Sequence, residues 1–209
     1  VGKTYLTATM PKPCMYLTFD PNALNGVNDQ IVSGAIKAED IPYLSFDDGD
    51  YREVAMAYKD PTNPFGLESI YKETPFKTLV LDSLTSWFKL ALTYAIELSR
   101  TYGLKEQPTI ERPQLVGHGI RSTATKEMAF NLINWCRKHG VNCVFIAHKG
   151  EMVKDEQTGI MYNSIGLSGD IPNEIARWCD ECWMMGVDGT GKRLLRVQPL
   201  SNARPLKTR

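Results

Sequence analysis

The chain is short of several things, and each shortage excludes something. It has no run of about 18 apolar residues, so nothing in it reads as a membrane-spanning helix. Its start, Val1-Gly2-Lys3-Thr4, lacks the long apolar stretch of a secretory signal. Cysteine is scarce: there are five, an odd number without regular spacing. That argues against a disulfide framework and for a reduced, cytoplasmic setting. There is no net charge, and no low-complexity tract or internal repeat. What remains is ordinary globular usage, 43% apolar and 23% charged over 209 residues, enough for one domain with one sizeable core.

The neutral balance hides an asymmetry. From Lys192 to Arg209 there are six basic residues (Lys192, Arg193, Arg196, Arg204, Lys207, Arg209) and no acidic ones, leaving 18 basic against 24 acidic in the first 191. A basic C-terminal segment on an acidic body suggests an anionic partner, a solvated tail being the plain alternative. The chain opens on Val rather than Met, so the sequence is expected to be a fragment cut at its N-terminal side.

Three short apolar, β-prone runs stand out: Cys14 to Phe19, Phe76 to Leu81 and Val141 to Ala147. Each is near-continuously apolar, as strands covered on both faces are. Between them lie helical patterns. Lys3 to Met10 is stopped by Pro11 and Pro13. Leu84 to Tyr102 can be capped by Ser83. Arg121 to His139 is closed by Gly140. Residues 27–42 are ambiguous, Tyr43 to Phe46 suggests a short strand and Tyr51 to Tyr58 a short helix. Gly103 to Gly119 reads as a long loop, Glu151 to Ser168 as a hairpin or loop, and Ile171 to Trp178 as a short helix. Cys182 to Val187 and Arg193 to Gln198 read as a hairpin around Asp188-Gly189-Thr190-Gly191-Lys192. Strands alternating with helices predict an α/β domain with a largely parallel sheet, residues 1–209 forming one domain. Such sheets bind ligands at the carboxyl ends of their strands. Here those ends carry Asp20, Asp82-Ser83 and His148.

Gly2-Lys3-Thr4 is the tail of the pattern G-x-x-x-x-G-K-[ST], whose first glycine falls ahead of Val1. In that turn backbone N–H groups, here those of Gly2 to Tyr5, wrap phosphates, the lysine reaches the β- and γ-phosphates, and the hydroxyl ligates Mg²⁺. About 80 residues on, Leu79-Val80-Leu81-Asp82-Ser83 leads an apolar strand to a carboxylate, the Walker-B arrangement. Together they predict an ATP site with Mg²⁺ between Thr4 and Asp82. His148 is either a residue that reports the γ-phosphate to the following loop or a histidine satisfied at a strand end.

With these residues in place the chain resembles RecA-type P-loop ATPases. It is most similar to the RecA/RadA-related phage Sak single-strand annealing proteins. The likeness rests on GKT at 2–4, CMYLTFD at 14–20, LVLDS at 79–83, VFIAHK at 144–149 and Lys207-Thr208-Arg209. It implies a RecA-like core, with a C-terminal β-hairpin, whose first strand lies outside this sequence. Residues 1–209 alone are therefore expected to bind nucleotide poorly. It implies ATP held between subunits of a ring or filament, with Lys207 and Arg209 reaching a neighbour's nucleotide as an arginine finger does. It implies single-stranded DNA as partner, with a single-stranded-DNA-binding protein as a further one, and no membrane. If the gene is a phage's, the compartment is the host cytoplasm. By position, Gly103 to Ile120 and Lys149 to Gly169 correspond to DNA-facing loops. There Arg112, Arg121, Lys149 and Lys154 are the phosphate partners and Tyr162 a base-stacking candidate.

One departure matters. The family places a catalytic glutamate just after the strand ending at Asp20, and here Asn22 stands there. An amide cannot take a proton from water. Either Asp20 substitutes or turnover is slow or absent. Three functions compete: a recombination or annealing ATPase on single-stranded DNA, a ring-forming motor or regulatory ATPase, and a nucleotide-dependent binding module without turnover. Cys179-x-x-Cys182 resembles half a zinc site that nothing in the sequence completes, and the other cysteines read as core.

Overall fold

In the computed structural model the described residues are 2–46, 51–52, 59–103, 106–154, 159 and 161–196. Four parallel strands make the central sheet: β1 (Cys14–Thr18), β2 (Tyr43–Ser45), β3 (Thr78–Asp82) and β4 (Asn142–Ile146), in the order β2-β1-β3-β4. Every residue of β1 and β3 is buried, which their unbroken apolar content requires. Side chains alternate across the sheet. Met15, Leu17, Leu79 and Leu81 face Trp87, Met128, Leu132 and Trp135 on one side. Cys14, Tyr16, Val80 and Ile146 face Ala8, Val27 and Ile36 on the other. The register pairs Thr18 with Asp82 and Asp82 with Ile146. The carboxyl ends are therefore level, and Asp20, Asp82 and His148 emerge along one edge.

Helices cover both faces. α1 (Lys3–Thr7) and α2 (Asn25–Val32) pack together, with Gln30 Nε2 donating to the Tyr5 carbonyl at 3.1 Å. α3 is Leu67–Glu73. α4 (Leu84–Ser99) starts at Ser83, whose hydroxyl accepts from the Ser86 amide at 3.1 Å. α5 (Gln114–His139) packs on α4. Its last residue, His139, reaches across to α3. His139 Nε2 lies 3.1 Å from Glu68 Oε2 on α3, and its ring stacks on Trp135 at 4.3 Å between centroids. Burial alone would raise the Glu68 carboxyl. The charges of His139, Lys72 and Lys138, with a Trp135 hydrogen bond, outweigh that and hold it below the usual carboxylate range.

Beyond β4 come the antiparallel hairpin β5 (Lys149–Lys154) and β6 (Met161–Ile165), then α6 (Ile171–Trp178), then the hairpin β7 (Met184–Val187) and β8 (Arg193–Arg196). Among the described residues no helix is long and apolar enough to cross a membrane.

Two expectations need correction. The loop predicted for Gly103 to Gly119 ends at Pro113, and α5 begins at Gln114, so Gln114 to Gly119 and Ile120 are helical. Gly117 sits at a close approach: a Cβ there would meet Pro113 at 3.4 Å and Ser99 Oγ at 4.0 Å, so the glycine serves packing rather than a turn. β7 starts at Met184 rather than Cys182. The helix expected at Tyr51 to Tyr58 falls mostly outside the described residues.

Candidate functional site

The level strand ends bring distant residues to one point. Thr4 Oγ1 donates to Asp82 Oδ2 at 2.6 Å across 78 positions. Both ends of this bond are held. Lys3 and Thr4 begin α1, and the Thr7 hydroxyl ties that helix down by donating to the Thr4 carbonyl at 2.8 Å and pairing with Tyr16 Oη at 2.9 Å. Asp82 closes β3, only 5% exposed, and its carbonyl accepts from the Phe19 amide at 2.8 Å. Burial raises the Asp82 carboxyl above its ordinary value. The Thr4 hydrogen bond and the charges of Lys3 and His148 act the other way, and Asp20 pushes it further up. Lys3, Thr4, Asp20, Asp82 and His148 thus share one electrostatic site.

Asp20 is partly exposed at the end of the β1 segment. Its carboxylate accepts from the Asn22 backbone amide at 2.9 Å, while the Asn22 side-chain oxygen accepts from Asn25 Nδ2 at 3.4 Å. His148 is exposed. Its amide donates to Thr85 Oγ1 at 3.0 Å, and its carbonyl accepts from the Gly166 amide at 2.8 Å, so one residue joins the site to α4 and to the base of the β5–β6 hairpin. Nothing in the sequence marks Thr85 for this role. Tyr5 is exposed on α1, and Ser83 is fully buried as the cap of α4. Lys3 and His148 line one end of a groove of about 670 Å³ that runs along the outer edge of β4 past Val144 to Trp183 and Met184.

The donors present suit a hard divalent cation with phosphate. A hydroxyl and a carboxylate meet at 2.6 Å, both oxygens, with an ammonium group beside them. Among the described residues no group of three or more His, Cys, Asp or Glu is placed to hold a metal ion. Mg²⁺ at a nucleotide needs no such group, because the phosphates and waters supply most of its ligands. Cys179 and Cys182 contact each other through their thiols, and that contact, together with burial, pushes the Cys179 thiol well above its ordinary value.

The residues expected to face nucleic acid scatter. Arg112 is exposed in the loop before α5, its amide bonded to Thr109. Lys149 and Lys154 are exposed at the two ends of β5, and Tyr162 stands on β6 opposite Val153. Arg121 is different. Its guanidinium lies 4.0 Å over the Phe88 ring, with Nη2 3.0 Å from His118 Nδ1 and 3.2 Å from Ser168 Oγ, and burial lowers its pKa. It ties α5 to α4 and to the loop before α6. Lys207 and Arg209 lie outside the described residues.

No curated protein and no solved structure matches the chain. A family model does: AAA_24, an AAA domain, matches residues 1–204. That span takes in every element that builds the Thr4–Asp82 site, and the chain belongs to this family of P-loop ATPase-type, nucleotide-binding AAA domains.

Proposed function

We propose that the protein binds Mg·ATP at Lys3, Thr4 and Asp82, hydrolyses it slowly, and couples that cycle to single-stranded DNA in phage-type recombination or annealing. One observation carries the nucleotide half of this reading: the 2.6 Å bond between Thr4 Oγ1 and Asp82 Oδ2. Lys3 binds the β- and γ-phosphates, together with the backbone N–H groups of Gly2 to Tyr5. Thr4 and Asp82 hold the magnesium side of the nucleotide. When bound, Mg²⁺ supplies neutralisation of the charge that builds on the phosphate oxygens. Ser83 keeps Asp82 at the strand end by starting α4 directly behind it.

Asp20 is the proposed acceptor of the proton of the attacking water. What supports it is a partly exposed carboxylate near Asp82, while the Asn22 amide has no basic site and is turned to Asn25. Asp20→Asn is expected to lower kcat by about 10²–10³ with ATP affinity nearly unchanged, read by phosphate release and calorimetry on the same sample. Asn22 also favours a second reading, a nucleotide-dependent binding module. Under it, phosphate release stays at background in the parent protein and turnover appears in Asn22→Glu.

The DNA half draws on the resemblance and on exposed cations at Arg112, Lys149 and Lys154. In the assembly proposed, a ring or filament, Lys207 and Arg209 act on the neighbouring subunit's nucleotide. His148 passes the state of the γ-phosphate to the β5–β6 hairpin through its carbonyl bond to Gly166. Fluorescence anisotropy on the full-length protein tests this. Affinity for single-stranded DNA should fall by an order of magnitude or more between roughly 50 and 200 mM salt, and drop further in a Lys149→Glu, Lys154→Glu double variant. No binding at the lower salt would end the DNA reading.

A further inference from the structure

We propose that Arg193 is a phosphate-binding residue of the nucleotide site, delivered by the C-terminal hairpin of the same chain. The proposal rests on reading Gly2-Lys3-Thr4 as the phosphate turn, and it adds a residue that lies at the opposite end of the sequence.

Arg193, the first residue of β8, lies directly on Gly2. A Cβ added to Gly2 would stand 3.2 Å from Arg193 Cδ and 3.3 Å from Nε and Nη1. Gly2 has φ 93°, in the left-handed region that favours glycine, and the missing Cβ leaves room for the exposed Arg193 side chain to lie against it. The hairpin that carries Arg193 is organised up to the residue before it. The Asp188 carboxylate accepts from the Thr190 amide at 2.9 Å, the Thr190 hydroxyl at 2.7 Å and the Lys192 amide at 2.9 Å. The Asp188 amide donates to the Lys192 carbonyl at 2.9 Å, and Val187 pairs with Arg193 across the ladder. The turn therefore sets where the arginine stem leaves the sheet, and it leaves toward the phosphate motif.

The charges complete the argument. Among the described residues, the ion pairs involve neither Lys3 nor Arg193. Arg193 over Gly2 and Lys3 next in the chain bring two cations to neighbouring positions, and a polyanion bound there would pair with both. A guanidinium offers a planar fork of donors that fits phosphate oxygens in pairs, where the Lys3 ammonium is a point charge. Arg193 and Lys3 thus grip the β- and γ-phosphates from two sides.

The test is calorimetric titration of the full-length protein with ATP, ADP and AMP, in the parent and in Arg193→Ala, Arg193→Gln and Lys3→Ala. Arg193→Ala should weaken ATP and ADP binding roughly tenfold and leave AMP unaffected, as loss of one charge-assisted contact to the outer phosphates predicts. Arg193→Gln keeps a long stem over Gly2 and should show the same loss, which separates phosphate contact from packing. Parent affinity for ATP in the folded glutamine variant overturns the role of Arg193 while Lys3→Ala still weakens binding by about 10²–10³. If Lys3→Ala binds ATP as the parent does, the phosphate turn itself is misassigned and the role of Arg193 falls with it.

Discussion

Replacing Lys3 by alanine should reduce ATP affinity by about 10²–10³ and remove hydrolysis, with the fold intact. The lysine is half-buried at the start of α1, close enough to act on the Asp82 charge, yet outside the ion pairs of the described residues. Among the described residues its ammonium forms no ion pair that alanine would forfeit, only a favourable charge effect on the Asp82 carboxylate. What it loses is two or more charge-assisted hydrogen bonds to phosphate, each worth about 1.5–3 kcal/mol. Lys3→Arg should recover little, because a planar fork does not replace a compact ammonium group in a tight backbone turn. Calorimetric titration with ATP, beside a thermal melt, reads both quantities. An unchanged dissociation constant in Lys3→Ala would mean that the phosphates bind elsewhere.

Asp82→Asn should have opposite effects on activity and stability. Burial holds the Asp82 carboxyl above its ordinary value, so the folded protein binds that proton more readily than the unfolded chain does. The stabilising effect of this proton is fully present below the ordinary carboxylate value. It is lost as pH rises through the raised folded value, and above that the buried anion works against folding. Asparagine keeps an oxygen to accept the Thr4 hydroxyl and carries no charge to bury. Without nucleotide at neutral pH the variant should therefore melt higher, by about 1 kcal/mol or roughly 2–4 °C for a chain of this size. The advantage should vanish once the pH falls below the ordinary carboxylate range. Hydrolysis should fall at least about 10³-fold. Melts at both pH values and phosphate release check this pair. A less stable variant at neutral pH would show that Lys3 and Thr4 compensate the anion more than burial costs it.

The sheet and its chemistry were legible where the residues state both period and end point. Cys14 to Phe19 and Phe76 to Leu81 are apolar runs with a carboxylate just beyond, and the structure puts both acids on one edge because the strands are parallel and in register. The start of α5 was not legible. Gly117 and Gly119 look like loop residues, and only the approach of Gly117 to Pro113 and Ser99 shows why a helix tolerates glycine there. Arg121 carries the same difficulty. A cation near a predicted loop reads as a phosphate partner, but its place over Phe88 depends on how α4 and α5 pack. Arg193 entered the sequence reading as one of six basic residues in a tail. Its contact with Gly2 is a matter of tertiary placement that no local pattern announces.

The most direct test is a structure of the full-length protein with Mg²⁺ and a non-hydrolysable ATP analogue. The account predicts Thr4 Oγ1 in the coordination shell of the metal at about 2.1 Å, Asp82 next to it directly or through one water, and Lys3 Nζ on the outer phosphates. A nucleotide seated away from Gly2-Lys3-Thr4, or a metal remote from Asp82, would contradict it.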